Sequence, residues 1–385
     1  MIPYGRQSIS EDDIQAVVNV LRSDYLTQGT VVPQFERAIA DYVGASYAVA
    51  VNSGTSALHI ACLALGLGEG DWLWTSPITF VASANCALYC GAKVDFVDID
   101  PQTFNMSIVA LERKLQQAEQ QGRLPKIVIP VHFAGLSCDM QAISRLAKQY
   151  GFYVIEDASH AIGGKYKEEF IGSGHYSDIT VFSFHPVKII TTAEGGMAVT
   201  NQLLLAEKMQ LLRSHGITRD ADKMSHEPDG AWYYQQIDLG FNYRMTELQA
   251  VLGLSQLGRI VGFVERRHQI ARQYHKLLLS LSLDMQYQPE DCYSAWHIFV
   301  IRVRLTAEKK SHKQIFSALR QLGIGVNVHY IPVYLQPYYQ KMGFRKGNFP
   351  EAESYYDTAI TLPIFPDLTD EQVVFMVEKL SEVLK

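Results

Sequence analysis

A single lysine, Lys188, lies between an apolar segment and a Gly-Gly turn at Gly195 and Gly196. Its neighbours Val187 and Ile189 are apolar, which favours burial of the amine over the alternative, a solvated loop lysine. Burial lowers the pKa of a lysine, and a neutral lysine amine can act as a nucleophile or form a Schiff base with a carbonyl compound. Lys188 is therefore the first candidate for covalent chemistry.

A carboxylate, Asp157, ends the apolar run FYVIED (152–157). In an open parallel sheet, ligands bind beyond the carboxyl ends of the strands, so Asp157 would point into the ligand crevice. There it could keep a pyridine nitrogen protonated and make that ring an electron sink. On this segment alone an N-cap role is favoured. Glu156 is expected to face the other side of the sheet.

A small-residue turn, NSGTS (52–56), follows the apolar run YAVAV (47–51) and opens a helix. Gly54 permits close backbone approach, the first helical N–H groups are free, and Thr55 and Ser56 add hydroxyls, which together suit a phosphate. A plain N-cap explains the turn equally well. No Walker lysine follows, which excludes a nucleotide P-loop.

An aromatic residue, Phe80, opens another predicted helix and could stack on a planar ligand. Taken alone, the segment favours a core phenylalanine. The twelve histidines show neither an HExxH motif nor convergent metal spacing, so we expect no metal. The order of these features persuades more than any one of them: phosphate cup, aromatic ring, aspartate, then serine and lysine before Gly-Gly.

The composition limits the class of protein. The net charge of -6 argues against a bulk electrostatic nucleic-acid binder. No apolar stretch is long enough to span a bilayer and no secretory signal begins the chain, so we expect a cytoplasmic protein without a membrane partner. The five cysteines are odd in number and scattered, which predicts free thiols packed mostly as small hydrophobic residues. Cys86 and Cys90 lie four residues apart, but no second pair completes a zinc site.

The elements that must position these residues alternate between strands and helices. Apolar runs rich in Val, Ile and Phe, with helical sequence between them, predict an α/β fold with a mostly parallel central sheet covered by helices on both faces. We expect a large domain at 1–235 and a small C-terminal α+β domain at 236–385, which includes the long helix that links them. The polar segment 217–233 is predicted to be a mobile loop.

The predicted helices also have predicted inward faces. Ser10 should cap a helix that buries one apolar face, made of Ile14, Val17, Val18 and Leu21. A second helix, with Pro33 in its first turn, should bury Phe35, Ile39 and Val43 and end at Gly44. The long helix from about residue 243 should bury Met245, Leu248, Val251, Leu252 and Leu257.

Over essentially its whole length the chain resembles the DegT/StrS sugar-nucleotide aminotransferases, which are fold type I enzymes that use pyridoxal 5'-phosphate (PLP). The resemblance is strongest to the branch that makes the 4-amino sugar precursor of pseudaminic acid. It rests on SFHPVKIITTAEGG (183–196), RSHGI (213–217), FNYRMTELQAVLGLSQL (241–257) and VHYIPVY (328–334). A dehydratase branch has His in place of the lysine, and because this chain keeps Lys188, transamination is favoured.

The resemblance implies a role for each matching position. Lys188 would bond to the cofactor, Asp157 would bind its pyridinium nitrogen, and Phe80 would stack on its ring. The other implied cofactor contacts are Gly54, Thr55, Ser56, His160, Ser183 and, across a homodimer interface, Asn242. The implied sugar-nucleotide contacts are Tyr4, Tyr25, Thr27, Arg244, His329 and Tyr330. Many relatives have Gln where this chain has His160, and His is similar to the pseudaminic-acid branch.

The activity implied is transfer of an amino group from L-glutamate to C4 of UDP-2-acetamido-2,6-dideoxy-beta-L-arabino-hexos-4-ulose. Two alternatives remain open: an aminotransferase for another nucleotide-linked keto sugar, and a PLP-binding regulatory protein without turnover. The sequence has no obvious arginine pair for a dicarboxylate donor, and Arg213 and Arg244 are the candidates.

Overall fold

The computed structural model describes residues 1–306 and 310–385. The strands are β1 (Tyr47–Val51), β2 (Trp72–Thr75), β3 (Lys93–Phe96), β4 (Ile127–Ile129), β5 (Tyr153–Asp157), β6 (Lys165–Tyr166), β7 (Glu169–Phe170), β8 (Ile179–Ser183), β9 (Gly196–Thr200), β10 (Ile217–Thr218), β11 (Gln235–Gln236), β12 (Leu283–Met285), β13 (Cys292–Tyr293), β14 (Phe299–Val303) and β15 (Ala359–Leu362). The helices are α1 (Glu11–Leu21), α2 (Val31–Val43), α3 (Gly54–Ala64), α4 (Ala82–Tyr89), α5 (Ile108–Gln120), α6 (Met140–Tyr150), α7 (Leu203–Arg213), α8 (Glu247–Leu257), α9 (Ile260–Leu278), α10 (His312–Gln321), α11 (Pro337–Gln340), α12 (Pro350–Tyr356) and α13 (Asp370–Leu384).

A seven-stranded sheet in the order β1-β9-β8-β5-β4-β2-β3 forms the centre of the larger part of the molecule. Strand β9 runs antiparallel to both of its neighbours, and the other pairs are parallel. Both faces are buried: Val49 and Val51 pack beneath α3, α4 and α7, whereas Ala48 and Ala50 pack beneath α2. This arrangement confirms the predicted mostly parallel sheet with helices on both faces.

The register of the sheet brings separate chain segments to one point. Gly196 of β9 pairs with Val51 of β1 on one side and with Ser183 of β8 on the other. A Cβ atom at Gly196 would lie 2.4 Å from the carbonyl oxygen of Ser53, so only glycine fits there. The turn after β1 therefore lies beside the end of β8.

The prediction for α1 was right about its start and wrong about its inward face. Ser10 caps the helix in a capping box with Asp13. Ile14 is 48% exposed and Leu21 is 56% exposed, whereas Asp13 is fully buried. Asp13 is buried because Ser255, Gln256 and Arg259 bond to its carboxylate, and a hydrophobic pattern does not reveal such partners.

The predicted face of the long helix was also wrong. The helical sequence forms two helices, α8 and α9, and the core face of α8 carries Glu247, Ala250, Gly253 and Gln256. A Cβ atom at Gly253 would lie 2.5 Å from the ring of Phe35, so small residues allow α8 and α2 to pack closely. The predicted residues Leu248, Val251, Leu252 and Leu257 are only partly buried, whereas Met245 is buried. Helix α2 does bury Phe35, Ile39 and Val43 and ends at Gly44, as predicted.

A smaller α+β unit follows the large sheet. Strands β12, β14 and β15 form an antiparallel sheet that packs against α10, α13 and the second half of α9. The first half of α9 packs with the core beneath α2 instead. The buried clusters thus change over within α9, and the boundary at 235/236 stays a prediction.

Segment 217–233, predicted as a mobile loop, begins with β10, which pairs with β11 after an intervening turn at Ala221–Lys223. Its mobility stays a prediction. Among the described residues, no helix combines the length and apolarity needed to cross a membrane. Within 1–306 and 310–385, no three His, Cys, Asp or Glu side chains converge as ligands for a metal ion.

Candidate active site

A cavity of about 840 Å³ lies at the carboxyl ends of β1, β5 and β8. This is the edge of the sheet where ligands bind in open parallel folds. Eleven of the residues singled out from the sequence line it together: Tyr4, Gly54, Thr55, Ser56, Phe80, Asp157, His160, Ser183, Lys188, His329 and Tyr330.

The start of α3 forms one end of the cavity. Ser53 is the N-cap and accepts a hydrogen bond of 3.0 Å from the backbone N–H of Ser56. A Cβ atom at Gly54 would lie 2.9 Å from the Cβ atom of Ser183, so glycine lets the two segments touch. The first N–H groups of α3 lack helical acceptors and carry the positive end of the helix dipole, which suits an anion. The Ser56 hydroxyl instead donates to Asn52 Oδ1 at 2.6 Å.

Lys188 lies in the loop that joins β8 to β9. The loop is closed where the N–H of Phe184 donates to the carbonyl of Gly195 and the N–H of Thr192 donates to that of Phe184. Burial of the amine lowers the pKa of Lys188 to about 8, while the carboxylate of Asp157 acts in the opposite direction. The amine is therefore still mostly protonated at pH 7, but its neutral, nucleophilic fraction is far larger than that of an ordinary lysine.

Asp157 ends β5 with its carboxylate held on both sides. Its Oδ2 atom accepts a hydrogen bond of 2.6 Å from Ser83 Oγ, and its Oδ1 atom accepts one of 3.1 Å from the N–H of Ser159. The hydrogen bond from Ser159 is the kind that an N-cap aspartate accepts, but the carboxylate of Asp157 also lines the cavity. Glu156 faces the other side of the sheet, as expected, where its Oε2 atom lies 2.6 Å from Nε2 of His132.

Phe80 lies at the cavity with 60% of its surface exposed. A large aromatic side chain left this open beside a cavity is available to stack on a flat ligand. The ring of Tyr330 follows at a centroid distance of 6.4 Å. The alternative interpretation, that Phe80 is a core residue, does not fit this exposure.

Three buried histidines, His160, His297 and His329, line the cavity. Nε2 of His160 lies 3.1 Å from the hydroxyl of Tyr330, and the rings of His160 and His297 are 4.3 Å apart. Nδ1 of His329 lies 2.9 Å from Oγ1 of Thr361. Burial, together with the charge of Lys188, lowers the pKa values of all three histidines, so they are neutral.

Four predicted site residues do not line the cavity: Tyr25, Thr27, Asn242 and Arg244. Tyr25, Thr27 and Asn242 are exposed, and the carbonyl of Asn242 accepts a hydrogen bond of 3.4 Å from Asn52 Nδ2. Arg244 pairs through its backbone with Val51. The donor candidate Arg213 does not line the cavity and is ion-paired with Glu36.

Sequence reasoning missed Ser83 and His297, which the fold brings to the site. Ser83 lies three residues after Phe80, so the start of α4 supplies both the exposed ring and the partner of Asp157. His297 comes from the segment before β14, more than a hundred residues from the lysine loop. Neither residue belongs to a local pattern that indicates a ligand.

Residues 7–381 match the DegT/DnrJ/EryC1/StrS aminotransferase family. Among curated relatives, the chain is 39% identical over 387 residues to the spore coat polysaccharide biosynthesis protein SpsC of Bacillus subtilis. The alignment covers 100% of this chain and 97% of SpsC. It is 37% identical over 387 residues to the UDP-4-amino-4,6-dideoxy-N-acetyl-beta-L-altrosamine transaminase of Campylobacter jejuni, covering 100% of this chain and 98% of that enzyme.

Solved structures of aminotransferases superimpose on the chain over its full length. Helicobacter pylori PseC, an aminotransferase involved in the biosynthesis of pseudoaminic acid, superimposes with a TM-score of 0.90 at 30% identity, covering 100% of this chain and 99% of PseC. The putative sugar aminotransferase Spr1654 from Streptococcus pneumoniae, in its PLP form, gives a TM-score of 0.88 at 30% identity over 100% of both chains. Spr1654 has also been solved in a PMP form.

The cavity fits PLP in the chemistry of its lining. PLP needs an amine for its aldehyde, an anion cup for its phosphate, a carboxylate for its ring nitrogen and a flat surface for its ring. Lys188, the start of α3 beside Ser183, Asp157 and Phe80 offer these four features around one cavity. The resemblance predicted from the sequence motifs is confirmed: the chain is a PLP-dependent sugar aminotransferase of fold type I and belongs to the DegT/DnrJ/EryC1/StrS aminotransferase family.

Proposed function

We propose that this enzyme transfers an amino group from L-glutamate to C4 of UDP-2-acetamido-2,6-dideoxy-beta-L-arabino-hexos-4-ulose. The product would be UDP-4-amino-4,6-dideoxy-N-acetyl-beta-L-altrosamine, and the route that of pseudaminic acid biosynthesis. Support comes from the full-length similarity to the Campylobacter transaminase and to PseC. The five unpaired cysteines suit a cytoplasmic location.

The strongest support for amino transfer is the position of Lys188 in the cavity, facing Asp157 and the cup at Gly54. Bound PLP supplies an electron sink for the carbanion formed at the donor's α carbon. Lys188 Nζ, with its lowered pKa, would bond to the cofactor and, when free, would accept and return the proton of the α carbon. Asp157 would hold a proton on the ring nitrogen.

The remaining cofactor contacts follow from the same geometry. The N–H groups of Gly54 and Thr55, with the hydroxyl of Ser183, would bind the phosphate, and Ser56 would join them by turning its hydroxyl away from Asn52 Oδ1. Phe80 would cover one face of the ring. Neutral His160, adjacent to Tyr330, would bind beside the ring without adding positive charge.

The keto sugar would enter over Phe80. Tyr4, His329 and Tyr330 line the cavity there. Tyr25 and Thr27 are exposed outside the cavity and are candidates for sugar contacts by resemblance alone. Arg244 has no hydrogen-bond or ion-pair partner for its guanidinium within 1–306 and 310–385, so it remains available for a substrate carboxylate or phosphate. Arg213 is unsuited to that role because its guanidinium is already ion-paired with Glu36.

We also propose a homodimer with shared sites. The apolar side chains Ile14 and Leu21 of α1 and Leu248, Val251 and Leu252 of α8 are left exposed or partly exposed on neighbouring helices. A second copy would cover them and would present its Asn242 to the phosphate cup.

A single-turnover assay tests the proposed function. Enzyme loaded with pyridoxamine phosphate is mixed with UDP-linked 4-keto sugars that differ at one stereocentre, and with a 3-keto sugar. We expect the beta-L-arabino 4-keto sugar to restore the PLP spectrum fastest and to yield the 4-amino sugar by NMR. Another nucleotide-linked keto sugar is the second candidate, because the chain is also 39% identical to SpsC, a protein of spore coat polysaccharide biosynthesis. Faster turnover of another sugar would support that candidate, and no turnover with any sugar would contradict amino transfer to nucleotide sugars.

A further inference from the structure

A buried arginine on α9, Arg267, contacts the segment that carries His297. Its Nη1 atom donates hydrogen bonds of 3.1, 3.1 and 3.0 Å to the carbonyl oxygens of Trp296, His297 and Ile364. Among the described residues no carboxylate pairs with its guanidinium, and its Nε atom is buried without a hydrogen-bond partner. Burial of an unpaired charge destabilises a fold, so a stabilising ion pair does not explain this arginine.

The backbone of the segment before β14 is strained. Trp296 has a φ of 48°, in the left-handed region that a bulky side chain rarely adopts. Hydrogen bonds fix its two neighbours: the N–H of Ala295 donates to the carbonyl of Gly135 at 3.0 Å, and the N–H of His297 donates to that of Ala134 at 2.9 Å. Strained conformations persist only where several contacts determine them, and they cluster at functional sites. The two bonds from the buried guanidinium belong to this set of contacts.

The ring of His297 is positioned by this backbone and by packing, not by bonds of its own. Neither of its ring nitrogens has a hydrogen-bond partner within 1–306 and 310–385, and its Nδ1 atom is fully buried. The ring lies against that of His160, with the centroids 4.3 Å apart. Nε2 of His160 lies 3.1 Å from the hydroxyl of Tyr330, but Nδ1 of His160 also lacks a partner. The ring of His297 is therefore a main support of the His160 imidazole.

We propose that Arg267 is a positioning residue for the cofactor site: it fixes the backbone of His297, whose ring in turn holds His160 beside the cofactor. Both histidines line the cavity together with Lys188 and Asp157, whereas Arg267 lies behind them and does not line it. An arginine suits this task because its guanidinium is planar and rigid, so its bonds fix direction as well as distance. The inference rests on the proposed cofactor contact of His160 and is independent of which sugar the enzyme uses.

Arg267 lies where α9 passes from one buried core to the other. Val264, one turn earlier, packs in the core beneath α2, whereas Ile270 packs in the core of the smaller unit. The third carbonyl that Arg267 contacts, that of Ile364, follows β15 of the smaller unit. One nitrogen atom therefore ties the cavity wall at His297 to the sheet of the smaller unit.

The test measures two properties of purified holoenzyme variants: the PLP dissociation constant, by equilibrium dialysis, and the pH midpoint at which the absorbance of bound PLP changes. Arg267→Lys keeps a cation but loses the planar fork, and His297→Ala removes the supporting ring. We expect each variant to raise the dissociation constant at least about fivefold. Both should move the absorbance midpoint in the same direction, because both displace the same imidazole beside the cofactor. The matched control is Tyr274→Phe, which removes a hydrogen bond of 2.8 Å from the same helix to the carbonyl of Pro363 and should change neither property.

A double-mutant cycle separates positioning from a general effect on the fold. If Arg267 acts through His297, Arg267→Lys should cause no further loss of PLP affinity in the His297→Ala background. His297→Phe, which keeps a ring and loses no hydrogen bond, should retain most of the affinity that His297→Ala loses. Additive losses in the double variant, or an equal loss in Tyr274→Phe, would overturn the proposal. If Arg267→Lys fails to fold and His297→Ala binds PLP like the wild type, Arg267 serves folding alone and the proposal is wrong. Because neither measurement involves a sugar, these outcomes are distinguishable from a failure of the proposed substrate.

Discussion

The hydroxyl of Ser83 donates a hydrogen bond of 2.6 Å to Oδ2 of Asp157, linking the start of α4 to the end of β5. This hydrogen bond fixes the orientation of a carboxylate that must face the ring nitrogen of the cofactor. Thr79 lies 2.7 Å from the same hydroxyl and holds it in place. The exposed ring of Phe80 and the anchor of Asp157 therefore come from one helix start.

Ser83→Ala should lower kcat by about tenfold or more, because a bond to a charged group contributes about 1.5–3 kcal/mol. The matched control is Ser177→Ala, which removes a hydroxyl from Glu156 on the opposite face of the same strand. Steady-state kinetics should show a large loss only for Ser83→Ala. Equal losses in both variants would indicate a general effect on β5 and contradict this positioning role.

The pKa of Lys188 predicts how covalent capture of PLP depends on pH. When the pH is below the pKa of Lys188, about 8, most of the amine is charged and unreactive. When the pH is above this pKa, most of the amine is neutral. The capture rate of the cofactor-free chain should therefore rise with pH and level off above 8, whereas a free lysine analogue should keep rising towards about 10.4. Because the carboxylate of Asp157 raises this pKa, Asp157→Asn should move the midpoint lower. A midpoint near that of the free analogue would refute burial as the cause.

Gly54→Ala should weaken PLP binding by at least about tenfold, since the added Cβ atom would lie 2.9 Å from Ser183 and push the phosphate cup open. Gly68→Ala is the control, because its Cβ atom would meet nothing within 4 Å. Equilibrium dialysis gives both dissociation constants. Unchanged binding in Gly54→Ala would place the phosphate elsewhere.

Shared sites predict complementation between inactive chains. When Lys188→Ala and Asn242→Ala chains are unfolded and refolded together, each mixed dimer has one site with both lesions and one with neither, so activity should exceed that of either parent. The control mixes Lys188→Ala with Asp157→Asn, whose lesions lie in one chain's cavity. This mixture should stay inactive. No recovery with Asn242→Ala, despite proven subunit exchange, would contradict the shared site.

The parts of the site that follow a strand end could be predicted from the sequence. Asp157 ends an apolar run, Gly54 and Lys188 lie shortly after one, and the rule that ligands bind beyond the carboxyl ends of parallel strands brings the three together. The partners of these residues could not be predicted. Ser83 and His297 reach the cavity only through tertiary packing, and neither belongs to a pattern of its own.

The same limit explains the errors in the fold. Hydrophobic periodicity placed Ile14 and Leu21 inside, but α1 is oriented by the buried carboxylate of Asp13, whose partners lie more than 240 residues away on and after α8. Such a long-range polar contact leaves no local signal. Where the contacts are apolar and local, as for Phe35 and Ile39 of α2, the prediction was right.

The assignment of Lys188 is tested most directly by reducing the holoenzyme with borohydride and mapping the labelled peptide. The chain contains several lysines, and among the residues that the structure describes, the lysine that lines the cavity is Lys188. We expect the pyridoxyl label on Lys188 alone, and we expect Lys188→Ala to bind PLP without covalent attachment and to lose turnover by several orders of magnitude. Recovery of the label on any other lysine, or turnover by Lys188→Ala near the wild-type rate, would contradict the account.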